Sequence, residues 1–280
     1  MLMDEFLTQL WEKVRLRGPE LLPLYKTMAE EAKFARALLE NNLKYLPRDA
    51  KLLEVGGGVM ILAAKLATEG FDITVIEPAG QGFGEFEKLR DIILEVIEIK
   101  PRIVTCYVED FISDERFDYA FSINVMEHVG DPQRAIARVS ATLKPQAVYR
   151  FFCPNYLFPY EPHFNIPIIF TKNITQGFFR DTIASHSMGD PQGLWESLNW
   201  ITVLKVRRWV KQDPTLSLDF RKATTVWILE RVINDPEFAS RRSAWIVKLI
   251  RLLVTLQLHQ LVHILPATLH PIMDVRLDKC

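Results

Sequence analysis

Short apolar runs alternate with helical patterns between about residues 48 and 155. The runs LLEV, ITVI, IVTCYV, FDYAFSI and AVYRFFC have the length and β-branched content of buried strands. Stretches at 59–69, 85–98 and 131–143 repeat their apolar positions with helical spacing. This alternation is typical of a parallel α/β sheet covered by helices.

The residues before the first strand follow a helical pattern. From Met1 to about Leu46 the apolar residues recur at helical spacing, and Pro19, Pro23 and Pro47 mark breaks. The pattern predicts two helices, which we assign to an N-terminal region 1–46.

The chain after the fifth strand is irregular at first. PNYLFPYEPHFNIPIIF contains four prolines, which oppose a regular element. Helical patterns follow at about 171–185 and 191–199, and WITVLKVRRWV at 200–210 alternates like a late strand. We interpret residues 154–199 as a lid or substrate region within a domain that covers 47–212.

Residues 213–280 are predicted to form a C-terminal helical appendage, with helices at 221–234 and 243–265. In 243–265, 15 of 23 residues are apolar, but Lys248 and Arg251 argue against a membrane-spanning helix. Its apolar face predicts either docking on the protein or a second subunit, or an interfacial membrane helix flanked by basic residues. The polar stripe beside that face consists of Lys248, Arg251, Thr255, His259 and His263.

Composition narrows the function classes. The chain has 280 residues, 49% of them hydrophobic, and a net charge of -1, which argues against nucleic acid as the main partner. Cys106, Cys153 and Cys280 are too widely spaced to suggest a disulfide framework or a zinc cluster. The first residues lack a secretory pattern, so we expect a cytoplasmic protein, with peripheral attachment at the inner face of the membrane as an option.

The glycine turn after the first strand is the strongest chemical signal. KLLEVGGGVMILAAKLATEGFDITVIEP lacks the Gly-Lys-Ser/Thr ending of a P-loop. Gly56 and Gly58 match the first pair of a dinucleotide fingerprint, but Ile61 occupies the third glycine position. Glu54, two residues before the first glycine, suits a cationic ligand better than a pyrophosphate.

The E-x-G-x-G pattern resembles motif I of the class I S-adenosylmethionine-dependent methyltransferases. The resemblance implies that Glu54, Gly56, Gly57 and Gly58 bind the cofactor S-adenosylmethionine, although the family's third glycine is Met60 here. Glu77 ends the second strand 21 residues after Gly56, a spacing that places its carboxylate at a ribose diol and that fits NAD equally well.

Two further segments resemble the same family. FDYAFSINVMEHVGDP, at 117–132, is similar to its fourth-strand motif, in which an acid-histidine pair follows the strand. The resemblance places Asn124 at the cofactor and His128 at the substrate. YVEDF at 107–111 implies an acid at the adenine amino group, for which we choose Asp110 over Glu109.

The resemblance predicts a doubly wound, Rossmann-like α/β methyltransferase sheet with N-terminal helices, a lid insertion after the fifth strand and an apolar C-terminal helix. The lid leaves the strand end where open α/β sheets bind ligands. It carries Tyr156, Tyr160 and Glu161 as substrate-binding candidates and His163 as the catalytic base, since a neutral histidine suits removal of an alcohol proton.

Each assignment has a structural alternative. Glu77 could be a solvated strand-end acid, and Asp110 could be a turn or cap residue. His128 could pack or cap its loop, and His163 could be an ordinary loop histidine. His259 and His263 have metal-ligand spacing, but a polar stripe fits them better.

These observations predict an S-adenosylmethionine-dependent methyltransferase that methylates an oxygen of a small-molecule, carbohydrate or lipid-linked acceptor without a metal. Two alternatives stay open at the level of sequence. One is an NAD-dependent oxidoreductase, and the other is a non-catalytic methyltransferase-like scaffold that binds a partner or a membrane.

Overall fold

The computed structural model describes residues 1–78, 84–186 and 190–280. Within these residues, seven strands form one sheet and two very short strands form a separate antiparallel ribbon. The strands are β1 (Lys51–Val55), β2 (Asp72–Ile76), β3 (Arg102–Val104), β4 (Phe117–Ile123), β5 (Leu143–Pro154), β6 (Tyr160–Glu161), β7 (Ile166–Pro167), β8 (Leu216–Phe220) and β9 (Ile272–Lys279).

Helices precede, connect and follow these strands, and short 3₁₀ turns link several of them. The helices are α1 (Met3–Arg17), α2 (Leu22–Leu43), α3 (Ile61–Thr68), α4 (Gly84–Val96), α5 (Pro132–Ala141), α6 (Lys172–Ala184), α7 (Pro191–Ser197), α8 (Val203–Val210), α9 (Thr224–Asn234), α10 (Pro236–Ser240) and α11 (Ala244–Thr255).

The large sheet has the strand order β3-β2-β1-β4-β5-β9-β8. β1 pairs in parallel with β2 on one side and β4 on the other, and β2 pairs in parallel with β3. The order therefore reverses between β1 and β4, which is where open α/β sheets bind ligands. The predicted doubly wound α/β fold is confirmed.

The chain divides into two compact units. The boundaries of these units do not coincide with those of the predicted regions 1–46, 47–212 and 213–280. The first unit consists of Met1–Ile123, Arg134–Tyr149 and Lys279, and the second of Asn124–Gln133, Arg150–Asp278 and Cys280.

The core of the first unit joins the N-terminal helices to the sheet. Phe6, Leu10 and Val14 recur every four residues on α1 and are buried, as the helical pattern requires. The hydroxyl of Tyr25 on α2 donates a hydrogen bond to the carbonyl of Leu7 at 2.5 Å. The apolar residues of α3 from 61 to 67 are all buried, so this helix is covered by protein on every side.

The prediction of a late strand at 200–210 is wrong. Residues Val203–Val210 form α8, in which Val203, Val206 and Val210 are buried. Their spacing of three and four residues is helical, and the side chain of Thr202 caps the helix by accepting a hydrogen bond from the backbone of Lys205 at 3.2 Å. The alternating valines and polar residues matched a strand only over a short stretch.

The C-terminal region differs from the predicted helical appendage. It also contributes β8 and β9 to the sheet. The predicted single helix at 243–265 ends with α11, because Gln257 adopts a left-handed conformation with φ of 58° before a 3₁₀ segment at Leu258–Ile264.

Among the described residues, no single helix has both the length and the apolar character to cross a membrane. α11 and the 3₁₀ segment Leu258–Ile264 reach that length only together, and they are bent by 90° at the break between them.

An ion pair links β5 and β9 inside the second unit. Arg150 Nε lies 2.8 Å from Asp274 Oδ1, and both side chains are almost fully buried. The hydroxyl of Thr224 also donates to this carboxylate. Because a buried carboxylate needs partners, these contacts explain why an acid is tolerated within β9.

The glycine turn after β1 yields a stability prediction. A Cβ on Gly57 would lie 2.5 Å from Val75 Cγ1 and 2.7 Å from Met60 Sδ. We expect Gly57→Ala to lower the free energy of unfolding by about 1–3 kcal/mol through overpacking, measured by urea denaturation.

Gly177→Ala in α6 is the matched control, since its new Cβ would have no described atom within 4 Å apart from its chain neighbours and the backbone of its own helix. It should leave stability unchanged or raise it by up to about 1 kcal/mol. Equal stability of the two variants would contradict the close packing of Gly57.

Candidate functional site

The glycine turn connects β1 to α3 in the first unit, at the point where the strand order reverses. Gly56 and Gly58 have φ of 76° and 51°, a region that side chains rarely adopt. Gly56 N donates to Ile76 O at 2.8 Å, which holds the start of the turn against β2. Gly58 N donates to the Glu77 carboxylate at 3.0 Å. Glu77 therefore fixes the shape of the turn from the end of the neighbouring strand.

Two acids meet beside this turn. Glu54 is buried at the end of β1, and no described residue forms a hydrogen bond with its Oε2. Burial, with a smaller contribution from the charge of Glu77, raises the pKa of Glu54 to about 8. Burial also raises the pKa of Glu77, although the Gly58 N–H and Arg90 oppose this effect. Two such carboxylates form a site that favours a cation.

Met60 occupies the family's third glycine position without losing the backbone shape. It has φ of 66°, the left-handed conformation that a glycine adopts easily, and it immediately precedes α3. Its side chain is fully buried against Gly57. The departure from the family pattern is therefore accommodated in the core.

Asp110 and Asn124 are at the surface. Asp110 ends a 3₁₀ turn, and its Oδ1 accepts a hydrogen bond from Arg134 Nη2 at 3.0 Å. Asn124 has φ of 55°, and its backbone N–H donates to Phe152 O at 2.8 Å. Their assignment to the cofactor stays a prediction.

The loop after β5 orients His163 within the second unit. His163 Nδ1 lies 2.6 Å from Glu161 Oε1, and the Glu161 side chain is fully buried. The backbone N–H of Phe164 donates to Glu161 Oε2 at 2.7 Å. Because Glu161 is fixed in this way, the imidazole is held by Nδ1 and its Nε2 is left to accept a proton.

The electrostatics of His163 match this arrangement. Burial lowers its pKa, but the hydrogen bond to Glu161 and the charges of Glu161 and Glu127 outweigh burial, so the pKa is raised above its ordinary value. The bound carboxylate stabilises the imidazolium form. His163 can therefore take up a proton and keep it for the length of a reaction step.

His128 lies beside His163, with the two rings in edge contact and their centroids 5.5 Å apart. His128 Nδ1 lies 2.8 Å from Ser197 Oγ, whose hydroxyl donates to Leu194 O. Ser197 Oγ therefore accepts from Nδ1, which leaves Nε2 as the acceptor. Burial, followed by the charge of His163, lowers the pKa of His128 to about 3, so this imidazole stays neutral.

Glu127 is the least satisfied polar group in this cluster. It is fully buried, and neither carboxylate oxygen has a hydrogen-bond partner among the described residues. Burial raises its pKa to about 7, against the opposing effect of His163. Glu127, His128 and His163 each place one potential ligand atom within 4.8 Å of the others. These atoms are close enough to surround a single cation or polar group.

The two predicted tyrosines differ in their surroundings. Tyr156 is buried, and its hydroxyl lies 3.4 Å from Glu161 Oε1. The Tyr160 hydroxyl instead donates to Asn165 Oδ1 at 2.5 Å. Of the predicted substrate residues, the structure brings Tyr156, Glu161 and His128 to the surroundings of His163, while the hydroxyl of Tyr160 is used elsewhere.

Two residues that hold this cluster were not predicted from sequence. Asn199 Nδ2 donates to the carbonyls of Met126 and Val129, at 2.6 and 2.8 Å, and so braces the loop that carries Glu127 and His128. Ser197 orients His128. Both follow the cluster loop by about seventy positions in the sequence, and only the acid-histidine pair itself gave a signal in the sequence.

Much of the chain is similar to known methyltransferases. A family model described as "Methyltransferase domain" matches residues 28–159. The chain is 55% identical over 278 residues to an uncharacterised protein of Mycobacterium tuberculosis, covering 99% of this chain and 95% of that protein. It is also 26% identical over 98 residues to a ubiquinone biosynthesis O-methyltransferase of Rickettsia typhi, covering 35% of this chain and 38% of that protein.

Solved structures support the fold. An S-adenosylmethionine-dependent methyltransferase of Mesorhizobium loti is similar with a TM-score of 0.50 at 10% identity, covering 84% of this chain and 94% of that one. The family model identifies residues 28–159 as a methyltransferase domain, which decides against an NAD-dependent oxidoreductase. The glycine turn, the acid pair and the strand order of the sheet are those expected of a class I methyltransferase with S-adenosylmethionine as its cofactor.

Proposed function

We propose that this methyltransferase methylates an oxygen atom of a small-molecule, carbohydrate or lipid-linked acceptor, with His163 as the general base. The observation that carries the proposal is the hydrogen bond between Glu161 and His163 at 2.6 Å. It gives the second unit an imidazole with one nitrogen fixed and the other available. The bound cofactor supplies an electrophilic methyl carbon on a sulfonium.

An alcohol needs such a base more than other acceptors do. Its proton is weakly acidic and must leave as the oxygen attacks, whereas an acceptor that is already ionised gains little from proton removal. A base held by a buried carboxylate stabilises the charge that forms on its own ring. The name of the Rickettsia typhi relative, an O-methyltransferase, also favours oxygen.

The other members of the cluster support this role. His128 stays neutral, so it can accept a hydrogen bond without competing for the acceptor's proton. Glu127 lies close enough for its charge to favour protonation of His163. We assign both to positioning the acceptor and tuning the base, and we assign Tyr156 to the wall of the same cluster.

We assign the cofactor to the glycine turn of the first unit. Oε2 of Glu54, which has no partner within 1–78, 84–186 and 190–280, fits the cationic groups of S-adenosylmethionine. Glu77 keeps acceptor capacity after binding the Gly58 N–H, so it can also accept ribose hydroxyls. Asp110 is assigned to the adenine and Asn124 to the cofactor on the sequence resemblance alone.

The first test is transfer itself. The full chain is incubated with tritiated S-adenosylmethionine and with small-molecule, polysaccharide and lipid fractions of its own host cells. Label in one fraction, with the new methyl group on oxygen by NMR, supports the proposal. Tight binding of S-adenosylhomocysteine without transfer to any fraction would favour a scaffold, and EDTA in the assay shows whether a metal is needed.

Glu54→Gln tests the acid beside the glycine turn. A carboxyl with a pKa of about 8 is protonated at neutral pH, and a cationic ligand favours its ionised form. We therefore expect cofactor affinity to rise with pH up to about 8, with proton release seen by calorimetry in buffers of different ionisation enthalpy. Glu54→Gln should weaken binding by about 1–3 kcal/mol and abolish this pH dependence.

The unfolding midpoint of Glu54→Gln should stay near that of the wild type, because Oε2 of Glu54 has no hydrogen-bond partner among the residues that the structure describes. An unchanged affinity and an unchanged pH dependence would remove Glu54 from the cofactor site.

Glu77 has two proposed contacts, and two variants separate them. Glu77→Gln keeps an oxygen that can accept the Gly58 N–H, but its amide group cannot accept from a ribose hydroxyl. We expect Glu77→Gln to keep wild-type stability while weakening cofactor binding by about 1–3 kcal/mol. Glu77→Ala should lose stability as well. Wild-type affinity of Glu77→Gln would restrict Glu77 to holding the turn.

His163→Ala tests the base, with the labelled fraction as acceptor. The turnover rate should fall by roughly 10²–10⁴ while cofactor affinity stays nearly unchanged. The base acts in its neutral form, so the wild-type rate should fall as pH drops through a midpoint above about 6.5. His263→Ala, on an exposed histidine, is the control and should keep the wild-type rate.

Glu161→Gln should move that midpoint to lower pH, since the hydrogen bond and charge of Glu161 raise the pKa of His163. If His163→Ala keeps the wild-type rate, or if Glu161→Gln leaves the midpoint of the pH profile unchanged, His163 and Glu161 have no part in proton transfer.

A further inference from the structure

Helix α11 exposes an apolar stripe that the fold does not use. Trp245, Leu249, Leu252 and Leu256 recur at helical spacing on one side, with exposed fractions of 67% for Trp245 and 54% for Leu252. No residue of α11 is fully buried. The exposed apolar side chains continue beyond the break with Leu258, Leu261, Ile264 and Leu265. We call these eight residues the C-terminal apolar surface.

A different side of α11 anchors the helix to the rest of the protein. The helix packs against α9, and Ile246, Ile250 and Leu253 are half-buried on another of its sides. The C-terminal apolar surface is thus additional to the side that anchors the helix. Monomeric proteins rarely expose apolar patches of this size without a binding role.

Cations follow the edge of this surface. Lys248 and Arg251 each precede a residue of the stripe by one position, are exposed, and form no ion pair with the described residues. The charge pattern of the surrounding chain is one-sided: the sequence from 238 to 273 has no Asp or Glu and four Lys or Arg. This segment therefore carries a formal charge of +4 within a chain whose net charge is -1.

The structure corrects the polar stripe expected from sequence. His259 is buried, and its Nε2 lies 3.2 Å from Glu230 Oε1, so it does not extend the exposed row of Lys248 and Arg251. The left-handed Gln257 turns the chain before that position. The exposed side of α11 keeps two cations beside an apolar stripe, which is the pattern of a helix that lies in a membrane interface.

We infer that the C-terminal apolar surface docks on an anionic lipid bilayer, with α11 in the plane of the headgroups. The apolar stripe would enter the acyl boundary, Trp245 would lie at the headgroup level, and Lys248 and Arg251 would face lipid phosphates. A second copy of the chain fits less well. A two-fold contact places the same segment on both sides, and this segment has no acid to meet its own cations.

The first measurement uses the full chain and two kinds of vesicle, phosphatidylcholine alone and an equal mixture with phosphatidylglycerol. We expect cosedimentation with the mixed vesicles and loss of that binding at high salt, because headgroup attraction is screened. The experiment needs neither cofactor nor acceptor. Its outcome is therefore independent of the proposed methyl transfer.

Charge reversal tests the cations. The double variant Lys248→Glu with Arg251→Glu should bind mixed vesicles more than about tenfold more weakly. The double variant Lys13→Glu with Lys26→Glu makes the same change of net charge on exposed lysines of α1 and α2, and it should bind like the wild type. If both double variants lose vesicle binding equally, the effect depends only on the net charge of the protein, and the inference of a docking surface is wrong.

Polar substitution tests the stripe. Leu252→Gln with Leu256→Gln should abolish vesicle binding, whereas Ile112→Gln with Phe178→Gln, at exposed apolar residues elsewhere, should not. Trp245 fluorescence should shift to the blue on mixed vesicles, and this shift should be missing in Trp245→Phe.

Lack of wild-type binding to the mixed vesicles would overturn the inference. Sedimentation velocity without lipid tests the alternative. If the wild type forms a dimer and binds no vesicles, and if Leu252→Gln with Leu256→Gln dissociates that dimer, the surface contacts a second copy of the chain instead.

Discussion

Burial of a carboxylate without a cation costs free energy, because the charged form loses its hydration. The chain does this at the end of β1, where Glu54 has an oxygen without a partner, and again after β4, where neither oxygen of Glu127 has one among the described residues. The pKa of each is raised far above the ordinary value of a glutamate, to about 8 and about 7. When the pKa of a carboxyl lies near neutral pH, the charge of an approaching ligand strongly changes its protonation state. Each unit thus holds one buried acid whose charge depends on its surroundings.

Near each acid, hydrogen bonds within the protein fix most polar groups, so that only a few remain able to bind a ligand. In the first unit the Gly58 N–H binds Glu77, so the turn keeps its shape before any ligand arrives. In the second unit Glu161 is held by the backbone of Phe164 and in turn holds His163 by one nitrogen. A preorganised group loses little conformational entropy when it acts. Burial of Glu54 and Glu127 lowers the stability of the fold, and in both units the buried acid lies beside groups that hydrogen bonds already hold in place.

The sequence was informative where function depends on consecutive residues. Glu54, the glycines and Glu77 lie at strand ends that the period of apolar residues identifies, so the turn and the doubly wound sheet could be predicted. Met60 departs from the family pattern at the level of sequence, because nothing in the sequence indicates that a methionine adopts the left-handed conformation. The bracing of the Glu127 loop depends on Asn199, a contact between segments some seventy positions apart that no local pattern encodes. The prediction of a strand at α8 is wrong for a different reason: the capping of the helix by Thr202 is a local signal, but the short alternation of apolar and polar residues across 200–210 matches a strand as well as a helix, and only the burial of Val203, Val206 and Val210 decides between them.

The acid pair of the first unit also bears on how the protein distinguishes donor from product. Glu54 and Glu77 favour a positively charged ligand over a neutral one of similar shape, since a nearby cation stabilises the ionised form of Glu54. Methyl transfer removes the sulfonium charge from the ligand. Under the proposed assignment of Glu54 to the cofactor, its carboxylate would lose part of the compensating charge after transfer, and its protonation would become favourable again at neutral pH. The repulsion between the two neighbouring carboxylates would then favour binding of the sulfonium donor over binding of the product.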